Sequence, residues 1–289
     1  MVFSYLRNAA VAAVCFSFAV PVAGFADGTS SGAYLAGRHA LSSSDYASAA
    51  EYYSRALGRD RDNPRLMESV VLSQLSLGRI DRAFPVAEYM EDLGLRSQAA
   101  HMVMVADLVE KGEFETLLDR DSEAVGIGPL VDGLVAGWAQ MGAGSVSKAL
   151  EQFDTVATEA GLLSFAMYHK ALALASVGDF EGAEAIYADK ESGLAVMSRG
   201  AAVARAQILS QLERNDDALA FLAESFGNRL DPGLQDVADR LTAGEQLVFD
   251  QVRSPSDGVA EVFFSIAGGL LDDADTAYTL QYARFAQYL

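Results

Sequence analysis

Cysteine is nearly absent from this 289-residue chain: the only one, Cys15, lies in an apolar stretch near the start. Disulfide frameworks, thiolate metal sites and cysteine nucleophiles are therefore excluded from everything after it. Histidine is scarce as well. His39, His101 and His169 are far apart in sequence, and no HExxH pair or close carboxylate partner marks a metal site. Positive charge is in short supply, with 21 Lys and Arg against 40 Asp and Glu and a net charge of −19. Such a surface repels nucleic acid and anionic lipid and favours neutral, apolar or basic partners. Proline occurs six times and tryptophan once. Strand signals are few, and the one candidate, Gln246 to Val252, reads equally as an extended linker.

Long hydrophobic runs are limited to one. Residues 1–26 combine Arg7, the apolar run Ala9 to Val20, the breaker Pro21 and the small-x-small triplet Gly24-Phe25-Ala26. That order predicts a secretory signal cleaved before Asp27, with export to the periplasm or an equivalent compartment. The alternative is an uncleaved membrane anchor, for which the run is marginal against the roughly 20 residues a span needs. With Arg7 removed and no acid lost, the mature chain carries 20 basic and 40 acidic residues, a net charge of −20.

What is abundant is a repeat. Aligned on their turns, Ser44, Gly78 and Gly112 are 34 residues apart, as are Gly144 and Gly178, with a shorter step of 32 between the two sets. An apolar residue follows each turn: Tyr46, Ile80, Phe114, Val146, Phe180. A small residue then sits in a second helix (Ala49, Ala83, Ala149, Ala183, Ala218), and four positions later comes Tyr53, Ala87, Phe153, Tyr187 or Leu222. Small residues let paired helices approach, and the residue four later fills the gap on the same face. The third copy departs, with Leu117 in place of the small residue and a glycine-rich continuation, which predicts a degenerate repeat or a bend. Pro85 is expected to kink or delay its helix.

These spacings, clearest in Ser31 to Pro64, resemble the tetratricopeptide repeat, although Ala33 and Ala40 stand where that family has large aromatics. The resemblance implies an all-α, right-handed superhelical solenoid of antiparallel helix pairs. It gives a signal at 1–26, about six repeats over 27–224, a linker with a short helix (Leu234 to Leu241) at 225–257, and a further pair at 258–289. Asp257 is placed to cap that last pair. Val262, Phe263, Phe264, Ile266, Leu280, Tyr282 and Phe285 cannot all turn inward against one preceding pair. A continuing or truncated solenoid, or self-association through 258–289, is therefore expected.

Signs of catalysis are missing. GIGPLVDG (126–133) and GAGS (142–145) lack the lysine and spacing of phosphate or dinucleotide loops and read as repeat turns. Asp216-Asp217 and Asp272-Asp273 fall at helix starts, where carboxylates favour the helix dipole. Neither a cofactor nor a metal is implied. In tetratricopeptide proteins the first helices line a concave groove. Carried onto this chain, that groove is lined by Tyr34 and Arg38, Glu68 and Leu72, Met102, Trp138 and Met141, Tyr168 and Leu172, and Gln207. Its middle is apolar, and the lysine- and asparagine-rich clamp that some members use for a terminal carboxylate is absent from these positions. The resemblance implies a non-catalytic scaffold or adaptor that binds a protein or peptide in the groove. The alternatives are the targeting arm of a larger enzyme or carbohydrate-binding protein, or a structural subunit of an envelope assembly.

Overall fold

The turns repeat in three dimensions as they do in sequence. A computed structural model describes residues 28–120, 126–194, 198–227, 229–271 and 274–289. The turn residues Ser44, Gly78, Gly112, Gly144 and Gly178 all have left-handed backbones, with φ between 57° and 85°. Glu213 (φ 62°) makes another such turn and, like Ser44, does so without glycine. At each, the next residue's N–H reaches back to the carbonyl five residues before it, at 2.8–3.0 Å: Asp45 to Ala40, Arg79 to Gln74, Glu113 to Leu108, Ser145 to Gln140, Asp179 to Leu174 and Arg214 to Leu209. This closure satisfies carbonyls that a helix C-terminus leaves free.

Between turns the chain forms α1 (Gly28–Ser42), α2 (Tyr46–Leu57), α3 (Pro64–Ser76), α4 (Ile80–Asp92), α5 (Gln98–Lys111), α6 (Phe114–Leu118), α7 (Pro129–Gly142), α8 (Val146–Ala157), α9 (Leu163–Ser176), α10 (Phe180–Ala188), α11 (Arg199–Gln211), α12 (Asn215–Phe226) and α13 (Pro232–Thr242). Side-chain caps start many of them: Asp45, Asn63, Ser97, Asp179, Ser198 and Asp231 each accept N–H bonds from the first helical turn. Successive helices pack as antiparallel pairs from α1–α2 to α11–α12, and α13 stacks on α12. In the third pair the second helix, α6, spans Phe114–Leu118. Pro85, in contrast, delays nothing. Helix α4 runs through it from Ile80, and Pro85 lies on the exposed side.

The second-helix alanines Ala49, Ala83, Ala149, Ala183 and Ala218 are fully buried. Their large partners enter notches in the first helices. A Cβ on Gly37 would lie 3.0 Å from the Tyr53 ring, and one on Gly137 would lie 2.4 Å from Phe153.

Beyond α13 the stack stops and the chain turns back. Residues 246–252 form no strand; they run extended along α11. Gln207 donates to the Asp250 carboxylate at 2.7 Å and accepts from the Asp250 N–H at 3.2 Å, while the Leu247 N–H donates to the Ser210 hydroxyl at 2.8 Å. This strap delivers α14 (Pro255–Leu270) and α15 (Thr276–Tyr288) to the inner side of the solenoid. Ser254, not Asp257, caps α14. The Ser254 hydroxyl accepts from the Asp257 N–H at 3.1 Å, and the Asp257 carboxylate accepts from the Arg253 N–H at 2.8 Å.

Helix α14 packs on α7, α9 and α5, and α15 packs on α14 and α3. The expected open apolar end is thus corrected. Val262, Phe263, Ile266, Tyr282 and Phe285 are buried, Leu280 is half-buried, and only Phe264 of the set faces out. The pair meets the walls of the superhelix on several sides, so it can bury far more apolar surface than one preceding pair would cover. One continuous core runs from Met67 through Trp138 to Phe285. Residues 1–26 and Asp272-Asp273 lie outside the described residues.

Candidate functional site: the inner groove

The first helices expected to line the groove, α3, α5, α7 and α9, are covered by the chain's own α14 and α15. Trp138 is fully buried. Its indole N–H donates to His169 Nδ1 at 3.0 Å, and Phe153 meets it edge-on at 5.9 Å. Gly258 of α14 lies flat on the same indole, where a Cβ would come within 2.1 Å of the ring. One turn on, Glu261 accepts a hydrogen bond from the Tyr168 hydroxyl at 2.8 Å. One further turn on, Ser265 lies 3.3 Å from His169 Nε2. Gly258, Glu261 and Ser265 share one helical face, which forms a small and polar stripe against Trp138, Tyr168 and His169.

Helix α15 closes the other half. Gln98 donates to the hydroxyls of Tyr278 at 3.1 Å and Tyr282 at 3.5 Å. The Tyr288 hydroxyl reaches the carboxylates of Glu110 at 2.6 Å and Asp81 at 3.2 Å.

Burial sets the protonation of these groups. Desolvation pulls His169 down to about 3, so the imidazole is neutral. His101 falls to about 4 through burial and the neighbouring Arg120 guanidinium. Burial raises the Glu261 carboxyl, an effect the Tyr168 hydrogen bond partly offsets.

The expected groove residues divide into three sets. Met102, Trp138, Tyr168 and Leu172 are brought together and buried, and Gln207 is buried beneath the strap. Glu68, Leu72 and Met141 are half-buried. Tyr34 packs its ring 6.1 Å from Tyr53, and Arg38 is exposed at the open end. His101 and His169 are both interior. Sequence reasoning assigned no groove role to Gly258, Glu261 or Ser265. Their spacing within an apolar helix was the available signal. The glycine readings need one change: GAGS is a repeat turn, whereas GIGP leads into α7, with the Ile127 and Gly128 N–H groups held by the Asp132 carboxylate at 3.0 and 2.8 Å.

Among the described residues, clefts open between second helices of the stack. One, of about 570 Å3, lies between α2 and α4 over α3. Another, of about 760 Å3, lies between the end of α10 and α12. In the second, Arg205 is committed to a two-pronged pair with Glu184 at 2.9 and 3.1 Å. No cluster of three or more metal-ligating side chains occurs among the described residues, and no described helix is long and apolar enough to cross a membrane.

A family model for the tetratricopeptide repeat matches residues 34–94. No curated protein matches the chain. Among solved structures, a tetratricopeptide repeat protein from Parabacteroides merdae is similar in fold, with a TM-score of 0.58 at 15% identity over 90% of this chain and 99% of the other. The repeat match lies in the first two helix pairs, and the likeness of fold to a tetratricopeptide repeat protein extends along the chain.

Proposed function

We propose that the chain is an exported, non-catalytic scaffold that holds a protein partner on its outer surface, with the inner groove given over to its own core. The observation that carries this reading is the seating of α14 and α15 in the groove, where Trp138, Met102 and Leu172 have no exposed surface to offer. A partner bound inside would have to displace a helix pair that belongs to the same continuous core. Export rests on residues 1–26, and the lack of catalysis on the missing nucleophile and metal arrangements described above. The acidic surface favours partners that are apolar or basic overall.

Capture from envelope extract with the mature chain, followed by hydrogen-exchange mapping of the complex, tests the reading. Protection on α2, α4, α10 or α12 with α14 and α15 still protected is the expected result. Faster exchange in α14 and α15 on partner binding would mean that the groove opens after all. N-terminal sequencing of the periplasmic protein is expected to begin at Asp27, and an intact Met1 on membrane-bound protein would refute export by cleavage.

A further inference from the structure

The outer cleft between α2 and α4 combines an apolar floor with a basic rim. Its floor is apolar, built from Leu57, Met67, Val70 and Val86. Its volume, about 570 Å3, lies within the range of ligand-holding clefts, about 300–1,000 Å3. Arg61 and Arg82 stand in its lining, both exposed. Neither makes an ion pair with any described residue. The lining contains no acid; the one beside it, Asp62, accepts from the hydroxyl of the lining residue Tyr89 at 2.7 Å. The lining itself thus carries two positive charges and no negative one, in a chain of net charge −19. Beyond about 10 Å the acids elsewhere are largely screened at 0.1 M salt, so local charge decides what binds here.

A second observation is independent of charge. Gln74, also in the lining, is 7% exposed, and its side-chain oxygen is buried with no hydrogen-bond partner. A buried acceptor left unpaired is costly, and rotation of the Gln74 side chain toward the cleft would let a bound donor reach it.

We propose that this cleft binds an extended, acidic–apolar peptide segment of the protein partner. Alternate residues of an extended peptide point to opposite sides. Apolar side chains would rest on Leu57, Met67, Val70 and Val86, acidic side chains would meet Arg61 and Arg82, and a backbone N–H would serve Gln74. The proposal rests on the scaffold reading and narrows it. A partner that is neutral or basic overall would present this segment locally.

The test uses the mature chain and a fluorescein-labelled, amide-capped hexapeptide of alternating leucine and aspartate, followed by fluorescence polarisation. Saturable binding is expected, weakened at least tenfold when asparagine replaces aspartate, and at least tenfold in Arg61→Glu/Arg82→Glu. Both arginines are exposed, so that variant keeps its fold, and circular dichroism checks this. A lysine-for-aspartate hexapeptide should gain affinity for the same variant. Equal binding of the aspartate and asparagine peptides, unchanged binding by the variant, or no saturation at millimolar peptide would overturn the proposal. Partner capture from extract that survives in the variant would locate that failure in the cleft, leaving the scaffold reading intact.

Discussion

Gly258→Ala places a methyl group where the structure has an indole ring. Two opposed effects decide its outcome. Glycine in a helix interior is less favourable than alanine by about 0.8–1.0 kcal/mol, so the substitution should stabilise an exposed helix by that amount. Here the new Cβ would fall 2.1 Å from the Trp138 ring, well inside ordinary contact. Trp138 cannot withdraw easily, because it is fully buried, bonded to His169 and backed by Phe153. Overpacking of that kind costs about 1–3 kcal/mol. With the overlap this large the upper part of that range applies, and a net loss of about 2 kcal/mol is expected once the propensity gain is included. Gly268 is the control. It lies on the same helix with nothing within 4 Å of its would-be Cβ, so Gly268→Ala should stabilise by about 1 kcal/mol. Urea denaturation followed by the single tryptophan measures both. If Gly258→Ala stabilised the protein as Gly268→Ala does, α14 would not lie against Trp138.

Acid should weaken the fold. His169 and His101 have native values near 3 and 4, below the unfolded value of 6.5, so the unfolded chain takes up protons that the native state refuses as the pH falls through 6.5. Each histidine then removes about 2 kcal/mol between pH 8 and pH 5. The raised Glu261 acts in the opposite sense, contributing stability that is lost as the pH rises above its unfolded value, so Glu261→Gln should steepen the acid loss; denaturation midpoints at the two pH values would show it. Ala183→Leu should cost about 1–3 kcal/mol by overpacking a fully buried contact, and an unchanged midpoint would place the repeat register elsewhere. Ser44→Gly should stabilise by up to about 1 kcal/mol, because Ser44 holds a left-handed backbone (φ 57°) that suits glycine better; a loss of stability would refute that account of the turn.

The repeat was legible because its determinants are local. A left-handed turn residue, an apolar residue after it and an alanine a few positions on are all read within one helix pair. The same turn closure recurs at Ser44, Gly78, Gly112, Gly144 and Gly178. Glu213 adopts the same turn although glutamate gives no sign of a left-handed backbone in sequence. The fate of the last pair was not legible in this way. Whether Phe263 and Phe285 cover a neighbouring repeat or a distant groove depends on contacts such as Gly258 with Trp138, 120 positions apart in the chain. Periodicity records only that those faces are apolar. For the same reason the sequence did not foresee that Met102, Trp138, Tyr168 and Leu172 share one buried core with α14 and α15. The outer cleft was harder still, since it joins residues of α2, α3 and α4 whose arginines look like ordinary solvated charges in sequence.

The central claim is that the groove is closed by the chain's own last helices, and Trp138, the only tryptophan, reports on it directly. Acrylamide quenching of its fluorescence should be compared in the mature chain and in a chain ending at Arg253. The account predicts a shielded indole in the first and a readily quenched one in the second. Easy quenching of Trp138 in the intact protein would contradict it.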